Sequence, residues 1–290
     1  MQHVRRLRAS CDNVFITILH IVRSDLPNGA ASVEAGSATR GSQAVDRALS
    51  VLWLFNEQAE SRSVGEVADA IGVHRSTAAR LLAALERHGL IERDEQSDRY
   101  RLGLALVSLA GHVLDRFPAR ASGRQILGEL RDRLGETVYL GVLDGSSVVY
   151  IDQASSPQVK QNVDWVGYRQ TLTEGVTGAM LLAFQPPGVV SDLVSGGMDG
   201  DGGAAPTQRE LADVRSRGYL ARFPDPVSGL VVIAAPVRHH RSDVVAAITL
   251  VAPAYRVDRR RFDEELVPAT LDAAARVSES LGYTQGAVAR

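Results

Sequence analysis

From Ser42 onward apolar residues recur at three- and four-residue spacing. That period predicts a helix over SQAVDRALSVLWLFNE, with Val45, Leu49, Leu52 and Phe55 on one stripe, Ala48 and Val51 beside them, and Ser42 as its N-cap. Ser63 then opens SVGEVADAIG with Glu66 three residues on, the spacing of a capping box, in which each side chain accepts the other residue's free N–H. Val64, Val67, Ala68 and Ile71 supply the apolar stripe of this second helix. Gly72 is placed to end it, because glycine takes the left-handed cap conformation without steric cost. A third helix from about Arg75 to His88 buries Leu81, Leu82 and Leu85 and stops at Gly89. LIERD and RYRLG, on either side of the polar EQSD, read as two short strands of a hairpin. Helix, helix-turn-helix and hairpin together are the plan of a winged helix-turn-helix.

The next stretch, GLALVSLAGHVLDRFP at 103–118, is an apolar helix that ends before Pro118 and connects to a different pattern. There the expected order is helix 119–134, strands TVYLGVLDG and SSVVYIDQA, a third strand around 158–168, helix 175–184, a helix near 187–195 and a glycine-rich loop at 196–203. Helix 207–217, strands GLVVIAAPV and DVVAAITLVAP, and a closing helix 257–281 complete it. Strands that come largely in adjacent pairs, with helices between the groups, argue for an α+β sheet over a doubly wound parallel one.

Composition adds constraints. The 290 residues are 45% hydrophobic and 23% charged, with a net charge of −2, so any nucleic-acid contact must come from a local patch. Lys160 is the only lysine and Cys11 the only cysteine, which leaves no disulfide framework or cysteine metal cluster and suits a reducing cytoplasm. At the start, VRRLR and NVFITILHIV have the charged and apolar regions of a secretory signal, but Asp12, Asn13 and His20 interrupt or flank the apolar run. Residues 24–41 read as a flexible linker rich in small residues. The expected divisions are a poorly ordered or mis-assigned extension at 1–41, a DNA-binding domain at 42–102, a linker helix at 103–118, a sensing domain at 119–282 and a tail at 283–290.

The DNA reading rests on the start of the third helix. In a helix-turn-helix that end meets base edges and phosphates, and here it carries His74, Arg75, Ser76, Thr77 and Arg80. Short hydroxyls bond phosphate without holding the helix off the groove, and the helix N-terminus adds free N–H groups. Arginine takes phosphate, or guanine bidentately. Arg93, Arg99 and Arg101 lie in the hairpin, where a wing would touch flanking backbone. Against this, residues 42–101 hold 10 acidic residues and 8 arginines, which a purely structural helical bundle would also tolerate.

SQAVDRALSVL, EVADAIGVHRSTAARLLAALERHGLIERD and RYRLG resemble the DNA-binding half of the IclR-type transcriptional regulators. GETVYLGVLDGSSVVYID, VGYRQTLTEGVTGAMLLAF, LADVRSRGY, GLVVIAAPV and VVAAITLVAP are similar to that family's second half, in its order, so the resemblance spans about Ser42 to Gly282. It implies an N-terminal winged helix-turn-helix, a linker helix and a C-terminal GAF-like effector-binding domain. It also implies a homodimer or tetramer on palindromic double-stranded operator DNA. By resemblance Ser76, Thr77 and Arg80 are DNA-contacting positions, while His74 and Arg75 replace a frequent proline and lysine.

The implied effector site departs most from the family. Val232 stands in the place of a cysteine, Thr249 and Val251 in those of two serines, Arg222 in that of an aspartate and Ala179 in that of a lysine; Asp225 keeps an acidic position. Val176 and Thr177 map to small residues that approach the ligand, and Leu230 shares the strand of Val232. Fewer polar groups imply an effector larger and less polar than glyoxylate or pyruvate, an aromatic or amphipathic acid. Arg222 is either a partner for its carboxylate or a solvated surface residue.

Other features read as structural. His239 and His240 in RHHRSD suit a turn, since no further ligand has metal-site spacing. DGDGG at 199–203 lacks the distal glutamate of a calcium loop. Trp53, Trp165 and Tyr168 are packing residues, with Trp165 also suited to a pocket mouth. No nucleophile–base set or carboxylate pair emerges, and no cofactor, metal or membrane span is expected. Three readings follow: a ligand-responsive transcription factor, a DNA-binding oligomerisation scaffold without an effector, and an enzyme with an accessory helical domain.

Overall fold

The computed structural model describes residues 40–55, 59–158, 164–196, 206–224 and 229–284, and it divides after Arg116 into two compact units. The expectations for residues 1–39, most of the glycine-rich loop, Asp225 and the last six residues lie outside the described residues.

The first unit holds α1 (Arg40–Leu52), α2 (Val64–Ala70), α3 (Arg75–Arg87), β1 (Ile91–Asp94), β2 (Arg99–Leu102) and α4 (Ala105–Leu114). The capping box forms as the spacing predicts: Ser63 Oγ accepts the Glu66 N–H, and Glu66 Oε2 accepts the Ser63 N–H at 2.7 Å. Gly72 and Gly89 take φ of +65° and +67° just past α2 and α3, the turn that glycine alone adopts freely. The wing is an antiparallel pair, and Arg62 and Tyr100 exchange two N–H···O=C bonds at 2.8 Å, which ties β2 back to the segment before α2. Val51, Phe55, Val67, Ala68, Ala78, Leu82, Leu85, Ile91 and Tyr100 make the core.

Three expectations change here. α1 runs from Arg40, so Ser42 lies inside it and does not cap it. Val45 and Leu49 are 57% and 51% exposed, and Trp53 is 68% exposed. The apolar stripe of α1 is longer than the core surface that a unit this small offers, so only its C-terminal turns are covered. The connector helix is α4, ten residues long, with none of its side chains buried and Leu104, Val107, Leu109 and Val113 more than half exposed.

The second unit starts with α5 (Pro118–Leu134), β3 (Thr137–Asp144), β4 (Ser147–Ala154), β5 (Arg169–Thr171), α6 (Gly175–Leu182), α7 (Pro187–Gly196) and α8 (Gln208–Arg217). It continues with β6 (Leu220–Arg222), β7 (Leu230–Arg238), β8 (Val244–Pro253) and α9 (Val267–Ser280). The strands form one sheet in the order β5-β4-β3-β8-β7-β6, with every neighbouring pair antiparallel. This is the α+β arrangement expected from adjacent strand pairs. α5 and α9 pack on one face; on the other, α6, α7 and α8 bury Met180, Leu181, Val190, Leu211 and Val214 against Val148, Tyr150, Ala234 and Ala247.

The third strand falls at Arg169–Thr171, beyond the expected 158–168. Residues 159–163 of that expected span lie outside the described residues. Asp164 accepts the Val166 N–H at 2.9 Å, Gly167 turns with φ +88°, and its N–H bonds the Tyr150 carbonyl at 2.7 Å, where contact with β4 begins. The short edge strand β6 was not expected. The closing helix is a helical turn, Arg259–Arg261, then a π-helical segment, Phe262–Leu266, then α9. Pro268 accounts for the widening, because it has no N–H for the carbonyl four residues back and its ring crowds that carbonyl. At the α5–β3 junction Glu136 is fully buried, compensated by Arg261 Nη1 at 3.0 Å and Arg256 Nη2 at 3.3 Å. Burial pushes its pKa up, and the two guanidiniums oppose that shift.

Candidate functional site

The first candidate surface is the N-terminal end of α3. His74 is the N-cap, in extended backbone, and its Nδ1 lies 3.3 Å from the Ser76 nitrogen and 2.9 Å from Ser76 Oγ. Arg75, Ser76 and Arg80 are exposed and Thr77 is half-buried. Arg75 folds back along α2, since a Cβ on Gly65 would stand 3.2 Å from its Nη2. Arg80 faces no carboxylate among the described residues.

The wing arginines sit differently. Arg93 pairs with Asp98 and lies over the Tyr100 ring at 5.9 Å. Arg101 donates to Glu92 at 2.5 Å. Arg99 donates to Glu66 Oε2 at 2.8 Å, to Ser61 Oγ at 2.9 Å and to the Ser61 carbonyl at 2.9 Å. Glu66 therefore closes the cap of α2 and also anchors β2, and the Ser63 N–H, followed by Arg99, holds its carboxyl below the usual range. The capping-box spacing revealed half of this role; Arg99 lies 33 residues away and left no local signal.

The second candidate surface is the sheet face under α6. Strand register puts Arg222, Val232, Val251 and Thr137 in one cross-strand row, and Ala234, Thr249 and Tyr139 in the next. Thr177 of α6 meets Thr249 with their hydroxyls 2.9 Å apart, and the Tyr150 hydroxyl donates to Thr177 Oγ1 at 3.0 Å. The fold brings into contact two threonines that the resemblance had named separately, and the sequence reading did not name Tyr150 or Tyr139. Those two tyrosines and the rings of Trp165 and Tyr168 form one cluster, with centroids 4.5–6.5 Å apart at mostly edge-to-face angles. Burial pushes the Tyr150 phenol up to about 12 and raises Tyr139 as well.

Val176 and Thr177 are buried, while Leu230, Val232 and Val251 are half-buried. Arg222 has a 43% exposed side chain that faces Glu210 of α8 at 3.8 Å. Ala179, in the lysine's place, is part of the core. His239 and His240 stack at 4.8 Å in the β7–β8 turn, where His239 Nδ1 accepts the Arg241 N–H, so they stabilise a turn as expected. Among the described residues no helix is long and apolar enough to cross a membrane.

Two family models match the chain. The IclR helix-turn-helix domain covers residues 44–95, and the bacterial transcriptional regulator IclR C-terminal domain covers residues 111–279. The HTH-type transcriptional regulator XynR of Escherichia coli is 32% identical over 83% of this chain and 98% of its own length. The crystal structure of Thermotoga maritima IclR superposes with a TM-score of 0.70 at 25% identity, covering 83% of this chain and all of that one. An IclR homologue from Microbacterium hydrocarbonoxydans, solved with 4-hydroxybenzoate, has a TM-score of 0.69 at 24% identity with coverage of 83% and 100%, a likeness of fold.

Proposed function

The chain belongs to the IclR family of bacterial transcriptional regulators, and we propose that it works as a homodimer, or a dimer of dimers, on a palindromic operator. In this reading each subunit lays α3 in the major groove, with half-sites about one helical turn apart. A small organic acid taken up by the C-terminal unit then changes operator affinity, so two sites are coupled. It acts in the cytoplasm, without a cofactor and without turnover.

Arg80 carries the DNA reading, as an exposed cation on the recognition helix with no carboxylate opposite it among the described residues. His74, Arg75, Ser76 and Thr77 complete the contact end of α3. Arg93 and Arg101 join from the wing by exchanging Asp98 and Glu92 for phosphate, whereas Arg99 serves to hold the wing. Arg80→Ala should weaken operator binding about tenfold and flatten its salt dependence by about one unit of slope, the signature of a lost phosphate contact. Arg99→Ala should lower the melting temperature and leave that slope unchanged. Fluorescence anisotropy across a salt series separates the two, and an unchanged slope in Arg80→Ala would sink the assignment.

Exposed apolar side chains support the dimer: Val45, Leu49 and Trp53 on or just after α1, and Leu104, Val107, Leu109 and Val113 at α4. Such a concentration in water is costly unless covered. Sedimentation should find wild type as a dimer or tetramer and Val107→Asp as a monomer with weak operator affinity; a monomeric wild type refutes this part.

For the effector, the Tyr150, Thr177 and Thr249 hydroxyls are hydrogen-bonded among neutral partners beside four aromatic rings. Aromatic walls give contact area and the hydroxyls orient an acceptor oxygen, which favours an aromatic or amphipathic acid over a small 2-oxo acid. Arg222 is a rim contact at most. A related fold holds 4-hydroxybenzoate. Calorimetry should detect 4-hydroxybenzoate-type acids and little glyoxylate; tight glyoxylate binding with no aromatic acid would reverse the assignment, and no binding of any acid would favour a DNA-binding scaffold.

A further inference from the structure

Serine, threonine, aspartate and asparagine are the usual N-caps, but α3 begins on a histidine. His74 Nδ1 accepts the backbone N–H of Ser76 at 3.3 Å and lies 2.9 Å from Ser76 Oγ. A backbone N–H can only donate, so Nδ1 presents its lone pair and the ring proton of neutral His74 sits on Nε2. An unprotonated nitrogen has nothing to donate, so in the 2.9 Å contact the Ser76 hydroxyl is the donor. One fixed backbone group thereby sets the tautomer of His74 and the direction of the Ser76 proton.

The consequence lies in what Ser76 shows to DNA. Its one proton is engaged with His74, so its exposed face offers lone pairs. In the major groove adenine N6 and cytosine N4 are donors, whereas guanine O6 and N7, thymine O4 and the phosphate oxygens are acceptors. A hydroxyl restricted to accepting therefore matches adenine or cytosine and mismatches the rest. His74 Nε2–H is left as an outward donor.

We propose that His74 is a specificity-setting positioning residue: by accepting the hydrogen bond of the Ser76 hydroxyl it makes Ser76 an acceptor that selects adenine or cytosine on the strand it faces. This rests on α3 being the element that reads the major groove, as set out above. Loss of a helix cap alone would weaken binding to all sequences evenly, so a changed base preference at a single position is the signature of the positioning role.

The test is selection from a randomised duplex library with full-length wild type, His74→Ala, His74→Asn, Ser76→Ala and the His74→Ala/Ser76→Ala double variant. Wild type should enrich adenine or cytosine about tenfold at one position of each half-site. Ser76→Ala should lose that preference and no other. His74→Ala frees the hydroxyl to donate, so the preference should collapse or move toward guanine and thymine. His74→Asn, which keeps a cap acceptor, should restore it, and the double variant should match Ser76→Ala at that position. The proposal falls if His74→Ala keeps the wild-type preference, or if Ser76→Ala leaves that preference in place. Should His74→Ala fail to fold, the Ser76→Ala and His74→Asn profiles decide the matter. Wild type with no preference at any position would overturn the DNA-reading role of α3 itself, and this proposal with it.

Discussion

Gly103→Ala should unfold the DNA-reading unit well below the melting temperature of wild type and abolish operator binding. A Cβ at this position would stand 2.2 Å from the Gly89 carbonyl oxygen, 3.0 Å from its carbon and 3.1 Å from the carbonyl carbon of Ile91. All three atoms are backbone, so no rotamer change relieves the clash. The surroundings are also fastened: Gly103 N–H donates to the Leu90 carbonyl at 2.9 Å, and the Gly89 carbonyl accepts the Ala105 N–H at 3.2 Å. Gly89 itself holds φ +67° at the end of α3. To admit a methyl group the recognition helix, the wing and α4 must separate at the point where they meet. Overpacking of this kind costs about 3 kcal/mol or more, and for a unit of this size that is on the order of 10–20 °C. Gly111→Ala is the control, in the same region but with open space around its Cβ, and it should be neutral or slightly stabilising because alanine is the better helix former. Calorimetric melting and operator anisotropy read both variants. Equal behaviour of the two would mean that the Gly103–Gly89 contact is looser than described.

Gly178→Ala should leave operator binding close to wild type and destroy the response to ligand. Here the new Cβ would lie 2.7 Å from the Thr171 carbonyl oxygen and 3.0 Å from that of Leu172, again backbone atoms. α6 would have to lift from β5 and the turn after it. Thr177 precedes the substitution directly, and its 2.9 Å contact with Thr249 joins α6 to β8. Displacing α6 breaks the Tyr150–Thr177–Thr249 series and opens the aromatic cluster beside it. The expected cost is about 2–3 kcal/mol, confined to the second unit, so melting should show one transition moved and the other in place. Gly188→Ala, with nothing near its Cβ, is the control. Titration with 4-hydroxybenzoate, as a probe of the proposed ligand class, in the presence of operator DNA gives the functional readout. A ligand response that survives in Gly178→Ala would remove the sheet face under α6 as the sensing site.

Legibility differed between the ends of the chain. The capping box at Ser63 and Glu66, the left-handed glycines 72 and 89 and the hairpin between Asp94 and Arg99 were readable because each is decided within four or five residues. The stripe of α1 was readable as a stripe but not as a buried one: periodicity says which side chains share a face, and nothing about whether a partner covers it. Val45 and Leu49 are the result. In the third strand of the sensing unit, the turn at Asp164 and Gly167 that precedes β5 is not announced by apolar content alone. The wing arginines were legible as cations, and their neutralisation by Glu66, Glu92 and Asp98 was not. The excess of acids over arginines in residues 42–101 was its only trace.

Sequence alone determined the capping box and glycine stops of the helix-turn-helix, the paired strands, and that a helical reader precedes an α+β sensor. These follow from backbone sterics, capping and side-chain periodicity, which act within a few positions of each residue. Tertiary structure decided which charges remain free and which polar groups meet. Arg99 finds Glu66 across 33 residues, and Thr177 finds Thr249 across 72. Both contacts depend on distances through space, because electrostatic and hydrogen-bonding energies fall steeply with separation and are set only once the chain has folded.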